Sequence, residues 1–533
     1  MTAYETAGEI VIVDAGLAFP RDEHLGVDLI LPDFAYLRDN AEKVRAVVLT
    51  HAHEDHVGAL PYLLREVRAR EVWGTRLTLG LVQPKLDEHG LNHATELNEA
   101  RPEDGAVQVG PFRVEFVRMA HSVPDTVAIV LECAAGRVIH TGDYKLDHTP
   151  VDGLKTDVGR LAEIGNRGVD LILGDSTNAE RPGVTGSERL VGEAFRHIIP
   201  TREGRILVAC FASNVHRMQQ AVDVAVEAGR KVCVVGRSMR KNLNIARNLG
   251  YLEAPEETII RPSELDELAP HEVLILCTGS QGEPTSALTR IAYHDHPAVH
   301  VERGDTVILS AKPVPGNELR VHDTINRLAK EGAEVLHQEI APVHVSGHGN
   351  AEEIRTVLGL VRPKAVMPVH GEFRMLAAHA QLAREGGVPA DSIVMAENGS
   401  VVELEAGRSP RIVGQIETGV TFVDGLGVGD VRDVALRDRR HLSEDGVLII
   451  VATVSANGVA SSGRPELIAR GFGDVEPLLD EMRAEADRVL DECLEQDITE
   501  IKLLQEHLHD AVGQLVYDRT GRRPMILPVI VEV

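Results

Sequence analysis

The stretch THAHEDHVGALPYLL, residues 50–64, contains the strongest functional signal in the sequence. An apolar run, VRAVVLT, leads into it and is typical of a buried strand, and a helical apolar pattern follows it. On a tight loop that leaves a strand, alternate side chains can converge on one point. We therefore expect His51 and His53 to bind one divalent cation, and Asp55 and His56 to bind a second beside it. Imidazoles and carboxylates suit zinc or manganese.

Further candidate ligands follow other strand-like runs. His121 comes after FRVEFVRMA, Asp143 after RVIHT and His370 after KAVMPV, the same strand-end setting as the first cluster. A carboxylate such as Asp143 can bridge two cations and hold them about 3.5–4 Å apart. Asp14 closes the run IVIVD. Its position fits equally well a carboxylate that orients ligand histidines and a turn residue before Gly16.

The order of strand and helix patterns predicts an α/β fold with several domains. After about residue 190, four strand–loop–helix units in succession indicate a parallel, doubly wound sheet. The tail alternates strand and helix, and Asn398-Gly399 suggests a hairpin turn before it. The predicted parts are a core in two pieces (1–190 and 346–430), an inserted domain (191–345), a linker (431–446) and a small C-terminal α+β domain (447–533).

Composition argues against a membrane or secreted protein, but the net charge alone is a poor guide to whether the protein binds nucleic acid. No apolar stretch reaches the ~18–20 residues that span a bilayer, so no membrane partner is expected. Five scattered cysteines, and a start without a secretory signal pattern, predict a reducing cytoplasm. The net charge of −27 argues against a nucleic-acid partner. However, residues 201–250 carry a net +6 and residues 471–510 a net −10, so the charge is unevenly distributed along the chain.

The motifs resemble a known family. His-x-His-x-Asp-His, followed by single His and Asp motifs, resembles the metallo-β-lactamase superfamily. GDST (Asp175), HVSGH (344–348) and PVHGE (His370) resemble the three motifs of the β-CASP nucleases. LILPDF, DSTNAE, FASNVHR, GRSM, CTGSQGEP and VDGLGVGD are similar to bacterial ribonuclease J sequences. The resemblance implies a metallo-β-lactamase αββα sandwich with an inserted doubly wound β-CASP domain. It also implies a ribonuclease with 5′-to-3′ exonuclease and endonuclease activities, acting in mRNA decay and rRNA maturation.

The resemblance assigns a role to each matching residue. By similarity, one cation would be held by His51, His53, His121 and Asp143, and the other by Asp55, His56, Asp143 and His370. Asp175 is expected to hydrogen-bond near the site, and His348 to contact the scissile phosphate and help the leaving group, so that the predicted catalytic residues are Asp55, Asp175 and His348. The substrate-phosphate loop would consist of His344, Val345, Ser346, Gly347 and His348.

A second phosphate site is expected in the inserted domain. FASN (211–214) and GRSM (236–239) each lie between a predicted strand and helix, where backbone N–H groups can bind an anion. Ser213, Arg237 and Ser238 would add side-chain donors for the 5′-monophosphate end of single-stranded RNA. The alternative is that they are ordinary loop and capping residues.

The resemblance further implies a structural calcium and self-association. Leu25, Val27 and Asp424 match the calcium positions of the family. The tail would mediate a homodimer or homotetramer, and other RNA-decay enzymes are expected partners.

One departure and three alternatives stay open. The family normally has a strand and a Gly-Gly-x-Gly-Glu-Ile-Gly loop before the segment that matches MTAYETAGEIVIVDAG. We therefore expect the first strand of the sheet to be missing, which would leave an exposed edge and could give a catalytically impaired scaffold. A DNA-processing β-CASP enzyme is a second alternative, although His370 at the third motif favours RNA. A lactamase- or glyoxalase-type hydrolase is a third, and the inserted domain argues against it.

Overall fold

The computed structural model describes most of the chain, as two compact units. The described residues are 1–21, 23–314, 316–425, 427–429, 433–454, 463–471, 476–496 and 498–532. One unit consists of Met1–Ala18 and Leu31–Val420, and the other of Phe19–Ile30 and Thr421–Val533.

Strands dominate the chain up to residue 175. They are β1 (Thr2–Thr6), β2 (Glu9–Val13), β3 (Leu29–Pro32), β4 (Val44–Val48), β5 (Glu71–Gly74), β6 (Glu96–Glu99), β7 (Val107–Val109), β8 (Phe112–Arg118), β9 (Val127–Cys133), β10 (Gly136–His140) and β11 (Leu171–Asp175). The helices between them are α1 (Ala35–Asp39), α2 (Glu54–Val57), α3 (Leu60–Glu66), α4 (Arg76–Glu88) and α5 (Val158–Asn166).

Strands and helices alternate regularly in the segment that follows. It contains α6 (Arg189–Ile198), β12 (Ile206–Ala209), α7 (Val215–Glu227), β13 (Lys231–Val235), α8 (Arg237–Leu249), β14 (Ile259–Ile260), β15 (Val273–Cys277), α9 (Ala287–Ala292), β16 (Thr306–Leu309), α10 (Glu318–Lys330) and β17 (Glu334–Leu336). After it come α11 (Ala351–Val361), β18 (Ala365–Val369), α12 (Phe373–Glu385), β19 (Ser400–Glu403) and β20 (Arg411–Gln415).

The last part of the chain has two long helices among short strands. Its elements are β21 (Val420–Asp424), β22 (Gly427–Val428), α13 (Asp433–Glu444), β23 (Val447–Val454), β24 (Glu466–Arg470), α14 (Glu476–Glu495), α15 (Ile501–Thr520) and β25 (Met525–Glu532). The segment 431–446, predicted as a linker, is thus helical over most of its length. None of the helices among the described residues is long and apolar enough to cross a bilayer.

Two facing sheets form the predicted αββα sandwich. One has the order β1-β2-β4-β5-β6 and the other β18-β11-β10-β9-β8-β7. Val11 and Val48 of the first sheet share a buried cluster with Val114, Phe116 and Ile129 of the second. Alternate side chains of the second sheet pack instead against α5, α11 and α12, and α4 packs against β5 and β6. This confirms the predicted fold class of the core.

The first strand of the chain forms the edge of the first sheet. Thr2–Thr6 pairs antiparallel with β2, with Thr2 opposite Val13 and Thr6 opposite Glu9. Tyr4 packs against the cluster between the two sheets, while Ala3 and Glu5 point outward and are exposed. β1 therefore covers β2 and is itself the edge strand. The family strand expected before this segment is a different element, and its absence stays a prediction. Strand β1 was not predicted because a single inward tyrosine, in a segment of five residues, leaves almost no apolar alternation.

The hairpin after α12 is also displaced from its predicted turn. β19 and β20 pair antiparallel, so residues 404–410 connect them. Gly399 lies just before β19 with φ +83°, and a Cβ there would come within 2.5 Å of the Ile416 carbonyl oxygen. Asn398-Gly399 is thus a point of close backbone approach rather than the hairpin turn.

The inserted segment forms a doubly wound parallel sheet, as predicted. Its order is β14-β13-β15-β12-β16-β17, and every neighbouring pair is parallel. Val208 and Leu276 face one buried cluster with α6, α7 and α8, while Leu207 and Ile275 face another with α9 and α10. Both faces are covered, as the continuous apolar runs in these strands indicate.

The second unit contains a sheet with two different faces. Its order is β24-β23-β25, and α14 and α15 pack on one face through residues such as Leu448 and Ile450. On the opposite face of the same strands, Ile468, Leu527 and Val529 are 36%, 45% and 43% exposed. A separate small sheet has the order β22-β21-β3.

Candidate metal centre

The loop after β4 is held by the backbone that follows β2. The Ala15 N–H donates to the His56 carbonyl oxygen (2.7 Å), and the Leu17 N–H donates to that of Glu54 (3.1 Å). A Cβ on Gly16 would lie 1.6 Å from the Asp55 carbonyl oxygen. Only glycine permits this approach. The two strand ends therefore form one fixed platform for the histidine-rich loop.

The first predicted ligand group converges on one point. His53 Nδ1 lies 3.0 Å from His51 Nε2 and 3.2 Å from His121 Nε2. Asp143 Oδ2 lies 3.7 Å from His51 Nε2 and 3.9 Å from His121 Nε2. Burial, and then the neighbouring histidines, hold the pKa of His51 and His121 well below the usual value, and burial lowers that of His53 to about 4. Neutral imidazoles with free lone pairs are what a divalent cation requires.

The second group shares Asp143 with the first. Asp143 Oδ2 lies 3.2 Å from His56 Nε2, and Asp55 Oδ2 lies 3.4 Å from His370 Nε2. His370 has φ +57°, a conformation uncommon for a residue with a side chain. Burial lowers the pKa of His56, but the carboxylates of Asp143, Asp14 and Asp55 outweigh it and raise the pKa to about 10. The second group is thus rich in negative charge.

The donor atoms of both groups fit divalent cations. Within each group, the candidate ligand atoms all lie within 4.8 Å of one another. His56 Nε2 and Asp143 Oδ1 are buried and have no hydrogen-bond partner in the described part of the chain. Buried polar atoms rarely lack a partner, so these two atoms point to a ligand between the side chains. Nitrogen and carboxylate oxygen donors in this number suit zinc and manganese.

A layer behind the ligands fixes their orientation. Asp14 Oδ2 lies 2.7 Å from His56 Nδ1 and accepts a hydrogen bond from the Thr50 hydroxyl (2.8 Å). The same hydroxyl lies 3.0 Å from His51 Nδ1. Because one ring nitrogen is engaged from behind, the other faces the cluster. Of the two interpretations of Asp14, this geometry favours the orienting carboxylate. Thr50 was missed, although its place beside His51 at a strand end is a signal for it.

The half-buried His348 and the buried Asp175 form a pair beside the ligands. Asp175 ends β11, and its Oδ2 lies 2.8 Å from His348 Nδ1. The His348 ring lies 5.2 Å from the His121 ring and 5.6 Å from the His370 ring, measured between centroids. Burial lowers the pKa of His348, but the carboxylates of Asp175 and Asp143 outweigh it and raise the pKa. The two carboxylates therefore favour the protonated form of His348.

The predicted phosphate loop runs from the inserted domain to the metal cluster. At its start, the Val343 carbonyl oxygen accepts a hydrogen bond from the Ser310 hydroxyl, directly after β16 (2.6 Å). At its end, the Gly347 carbonyl oxygen lies 2.7 Å from His121 Nδ1. Ser346 accepts a hydrogen bond from Asn178 (2.9 Å). Of the other two loop residues, His344 has a buried Nδ1 without a partner among the described residues, and Val345 is half-buried.

The residues predicted to bind the 5′ end lie at the edge of the inserted sheet formed by the carboxyl ends of its strands. Ser213 follows β12 and is half-buried, while Arg237 and Ser238 begin α8 after β13 and are exposed. The Asn242 side chain donates to the Ala212 carbonyl oxygen (2.9 Å) and joins the two loops. Arg237 has no ion-pair partner among the described residues. The structure thus brings the loops together but leaves their charged side chain free.

The basic stretch 201–250 is less available than its net charge suggests. Arg205 pairs with Asp305 (2.7 Å), and Arg217 is fully buried against Glu188 (2.6 Å). Arg230 is buried and donates to backbone carbonyl oxygens such as that of Gly204 (2.9 Å). Only part of the +6 can therefore face an RNA.

The expected calcium residues do not fit a calcium ion. Arg439 donates to the Leu25 carbonyl oxygen (2.9 Å) and to the Asp424 carboxylate (2.5 Å). The Val27 backbone N–H donates to the His24 carbonyl oxygen (3.1 Å). A guanidinium therefore already neutralises the oxygen atoms that would surround the cation, and a second positive charge there would be repelled.

Comparison with protein-family models identifies each part of the chain. Residues 1–181 match the metallo-beta-lactamase superfamily, and residues 203–328 match the ribonuclease J beta-CASP domain. Residues 332–393 match the Zn-dependent metallo-hydrolase RNA specificity domain, and residues 434–533 match the ribonuclease J C-terminal domain. The last match begins within the segment predicted as a linker, in agreement with helix α13.

The chain is similar to curated relatives along almost its whole length. It is 42% identical to Ribonuclease J 1 of Streptococcus pyogenes, covering 99% of this chain and 94% of the relative. It is 42% identical to Ribonuclease J of Mycolicibacterium smegmatis (100% and 95% covered) and 41% identical to that of Thermus thermophilus (100% and 92%).

A solved structure supports the fold alone. A protein of unknown function from Enterococcus faecalis matches with a TM-score of 0.52 and 15% identity, covering 74% of this chain and 94% of that one. The curated relatives decide the family: the chain belongs to the ribonuclease J family of metal-dependent ribonucleases.

Proposed function

We propose that this ribonuclease uses two divalent cations to hydrolyse single-stranded RNA. It would act as a 5′-to-3′ exonuclease that prefers 5′-monophosphate ends, with additional endonuclease activity, in mRNA decay and rRNA maturation. The observation that carries this proposal is Asp143, which is shared by two ligand groups beside the His348–Asp175 pair. A single metal site would not need a common carboxylate between two clusters.

The residues divide the work of phosphodiester hydrolysis. His51, His53, His121, Asp55, His56, Asp143 and His370 would hold the cations. When bound, zinc or manganese would activate a water molecule and neutralise phosphate charge. His348 lies beside both ligand groups and would donate its proton to the departing 3′ oxygen. Asp175 holds the His348 ring through Nδ1, which leaves Nε2 to face the substrate.

The 344–348 loop would place the scissile phosphate and connect it to the 5′ end. Val343 contacts the inserted domain and Gly347 contacts the ligand His121. Five extended residues span at most about 17 Å, so the carboxyl end of β16 lies within that reach of the metal cluster. Ser213, Arg237 and Ser238 at the same edge of the inserted sheet would bind the 5′-monophosphate, and a short separation favours removal of small products from that end.

RNA is the substrate class that the described features support best. Residues 332–393, which match the RNA specificity domain, include the phosphate loop and His370. Family membership argues against a lactamase- or glyoxalase-type enzyme. The complete ligand set argues against an impaired scaffold.

A homodimer or homotetramer would bury the exposed face of the C-terminal sheet. Ile468, Leu527, Val529 and Val531 form an apolar surface there, and contiguous apolar patches mark protein interfaces. We also assign the protein to the cytoplasm, because all five cysteines are free thiols.

The experiment is digestion of 3′-labelled RNA that carries a 5′-monophosphate, with and without a chelator. Shortening from the 5′ end, its loss with chelator and its return with zinc or manganese are expected. A 5′-triphosphate RNA should be degraded more slowly, and DNA of the same sequence should persist. Equal rates on the two 5′ ends would exclude the proposed pocket. If the protein binds two metals per chain but hydrolyses no RNA, the alternative of a catalytically impaired scaffold is supported instead.

A further inference from the structure

Glu353 is a buried carboxylate outside the ligand set. It is 2% exposed, stands at the third residue of α11 and lies five residues after His348. A buried glutamate is costly unless its oxygens are satisfied. No basic side chain of the described residues forms an ion pair with it. Its partners are instead backbone N–H groups.

Three backbone segments donate to this one carboxylate. Glu353 Oε1 accepts from the Leu146 N–H (2.8 Å), and Oε2 accepts from those of Thr185 (2.7 Å) and Asn350 (2.8 Å). Leu146 lies three residues after the shared ligand Asp143. The carboxylate therefore connects the chain just beyond Asp143, the loop beyond β11 and the chain just beyond His348.

Helix capping explains only one of these bonds. Asn350 and Glu353 form a capping box at the start of α11, which accounts for the Asn350 donor. The Leu146 and Thr185 donors belong to other segments. Thr185 in turn donates its hydroxyl to the His348 carbonyl oxygen (2.8 Å). A direct chain of two hydrogen bonds thus runs from Glu353 through Thr185 to His348.

We infer that Glu353 is a positioning residue that sets His348 against the metal cluster through Thr185 and Asn350. The inference rests on the proposed role of His348 as proton donor. Proton transfer needs a donor within hydrogen-bond reach of the leaving oxygen, and productive sites hold such groups within about 0.5 Å. Loss of the carboxylate would release the His348 loop without touching a ligand.

The test is Glu353→Gln with two RNA substrates. In one, the scissile 3′ oxygen is natural; in the other it is replaced by sulfur, a leaving group that departs without a proton. Natural RNA should be cleaved about 10- to 100-fold more slowly, the range for residues that hold a functional group from behind. The sulfur substrate should be cleaved at nearly the rate of the unaltered protein, with the metal content per chain unchanged. Equal losses on both substrates, or no loss on natural RNA, would overturn the inference.

Two further variants separate positioning from stability. Val357→Ala shortens an apolar side chain of α11 that is 1% exposed and belongs to the buried cluster beneath the helix. It should lower the unfolding temperature and leave the ratio of the two substrate rates unchanged. Thr185→Val removes the hydroxyl bond to His348 and keeps Glu353, so it tests the same link if Glu353→Gln folds poorly. It should reduce the cleavage rate of natural RNA by less than Glu353→Gln does, and again spare the sulfur substrate. If the ratio of the two substrate rates equals that of the unaltered protein, the link through Thr185 is overturned.

His348→Ala distinguishes failure of the inference from failure of the proposed function. If this variant slows cleavage of natural RNA far more than cleavage of the sulfur substrate, His348 is the proton donor. The result for Glu353→Gln then tests only the inference about Glu353. If it slows both equally, the proposed role of His348 is wrong and the inference about Glu353 falls with it.

Discussion

The metal cluster and the edge of the inserted sheet are both proposed to bind phosphate, yet they are built differently. In the cluster, His51, His56 and His121 each have one ring nitrogen engaged from behind. At the sheet edge, Arg237 is exposed and has no ion pair among the described residues. A reacting group must be held in place beforehand, whereas a group that captures a mobile RNA end can adjust. We therefore expect substitutions in the metal cluster to cause large losses of activity on every RNA. Substitutions at the sheet edge should cause small losses that depend on the 5′ end of the RNA.

The largest effect should come from the carboxylate common to both ligand groups. Asp143→Asn removes negative charge from between the cations, so metal content should fall below two per chain. Hydrolysis of every RNA should be abolished, a larger loss than the factor on the order of 10²–10⁴ that removal of a general acid costs. Metal analysis and rate measurement on the same sample check this. Two bound metals with normal activity would remove the basis for the comparison.

His348→Ala should rank second, because it leaves the ligands intact. Loss of a general acid costs on the order of 10²–10⁴ in rate. Metal content should stay at its original value. Metal loss in this variant would mean that His348 is a metal ligand, and its assignment as the proton donor would be wrong.

Asp175→Asn should shift the pH profile. The Asp175 carboxylate raises the pKa of His348, and a general acid is active below its pKa and inactive above it. Without that charge the pKa falls, so the alkaline limb of the rate profile should move to lower pH. Asp170→Asn, just before the same strand, is the matched control because Asp170 pairs with Lys364 instead. An unmoved limb would contradict the proposed pairing.

The smallest effect is expected at the edge of the inserted sheet. Arg237→Ala should reduce the preference for 5′-monophosphate over 5′-triphosphate RNA by about tenfold, the lower range for a hydrogen bond to a charged group. Internal cleavage should be unaffected. Arg240→Ala, on the same helix and also exposed, should keep the preference. If cleavage from the 5′ end and internal cleavage fall together, Arg237 acts in the hydrolytic step rather than in recognition of the 5′ end.

The same contrast explains what could be predicted from the sequence. His51, His53, Asp55 and His56 are close in the chain, so their spacing alone indicates a metal site. His121, Asp143 and His370 were found because strand ends in α/β folds meet at one edge. Thr50 and Glu353 act through hydrogen bonds that only the folded chain creates, so spacing did not reveal them.

Charge was the least reliable guide. The basic stretch includes Arg217, which is fully buried against Glu188, and Arg230, which satisfies carbonyl oxygens. A sequence shows how many charges a segment carries but not which of them are already neutralised inside the fold. The calcium expectation meets a related difficulty, since Arg439 supplies the positive charge at that position.

The contact between Gly16 and the Asp55 backbone has a practical consequence for anyone who needs an inactive form of this enzyme. A methyl group at position 16 would displace the loop that carries four ligands, because its carbon would overlap the Asp55 carbonyl oxygen. Gly16→Ala would therefore retain every side chain proposed to bind metal or RNA. Such a form would keep the side-chain charges of the site, whereas removal of a ligand such as Asp143 would change them.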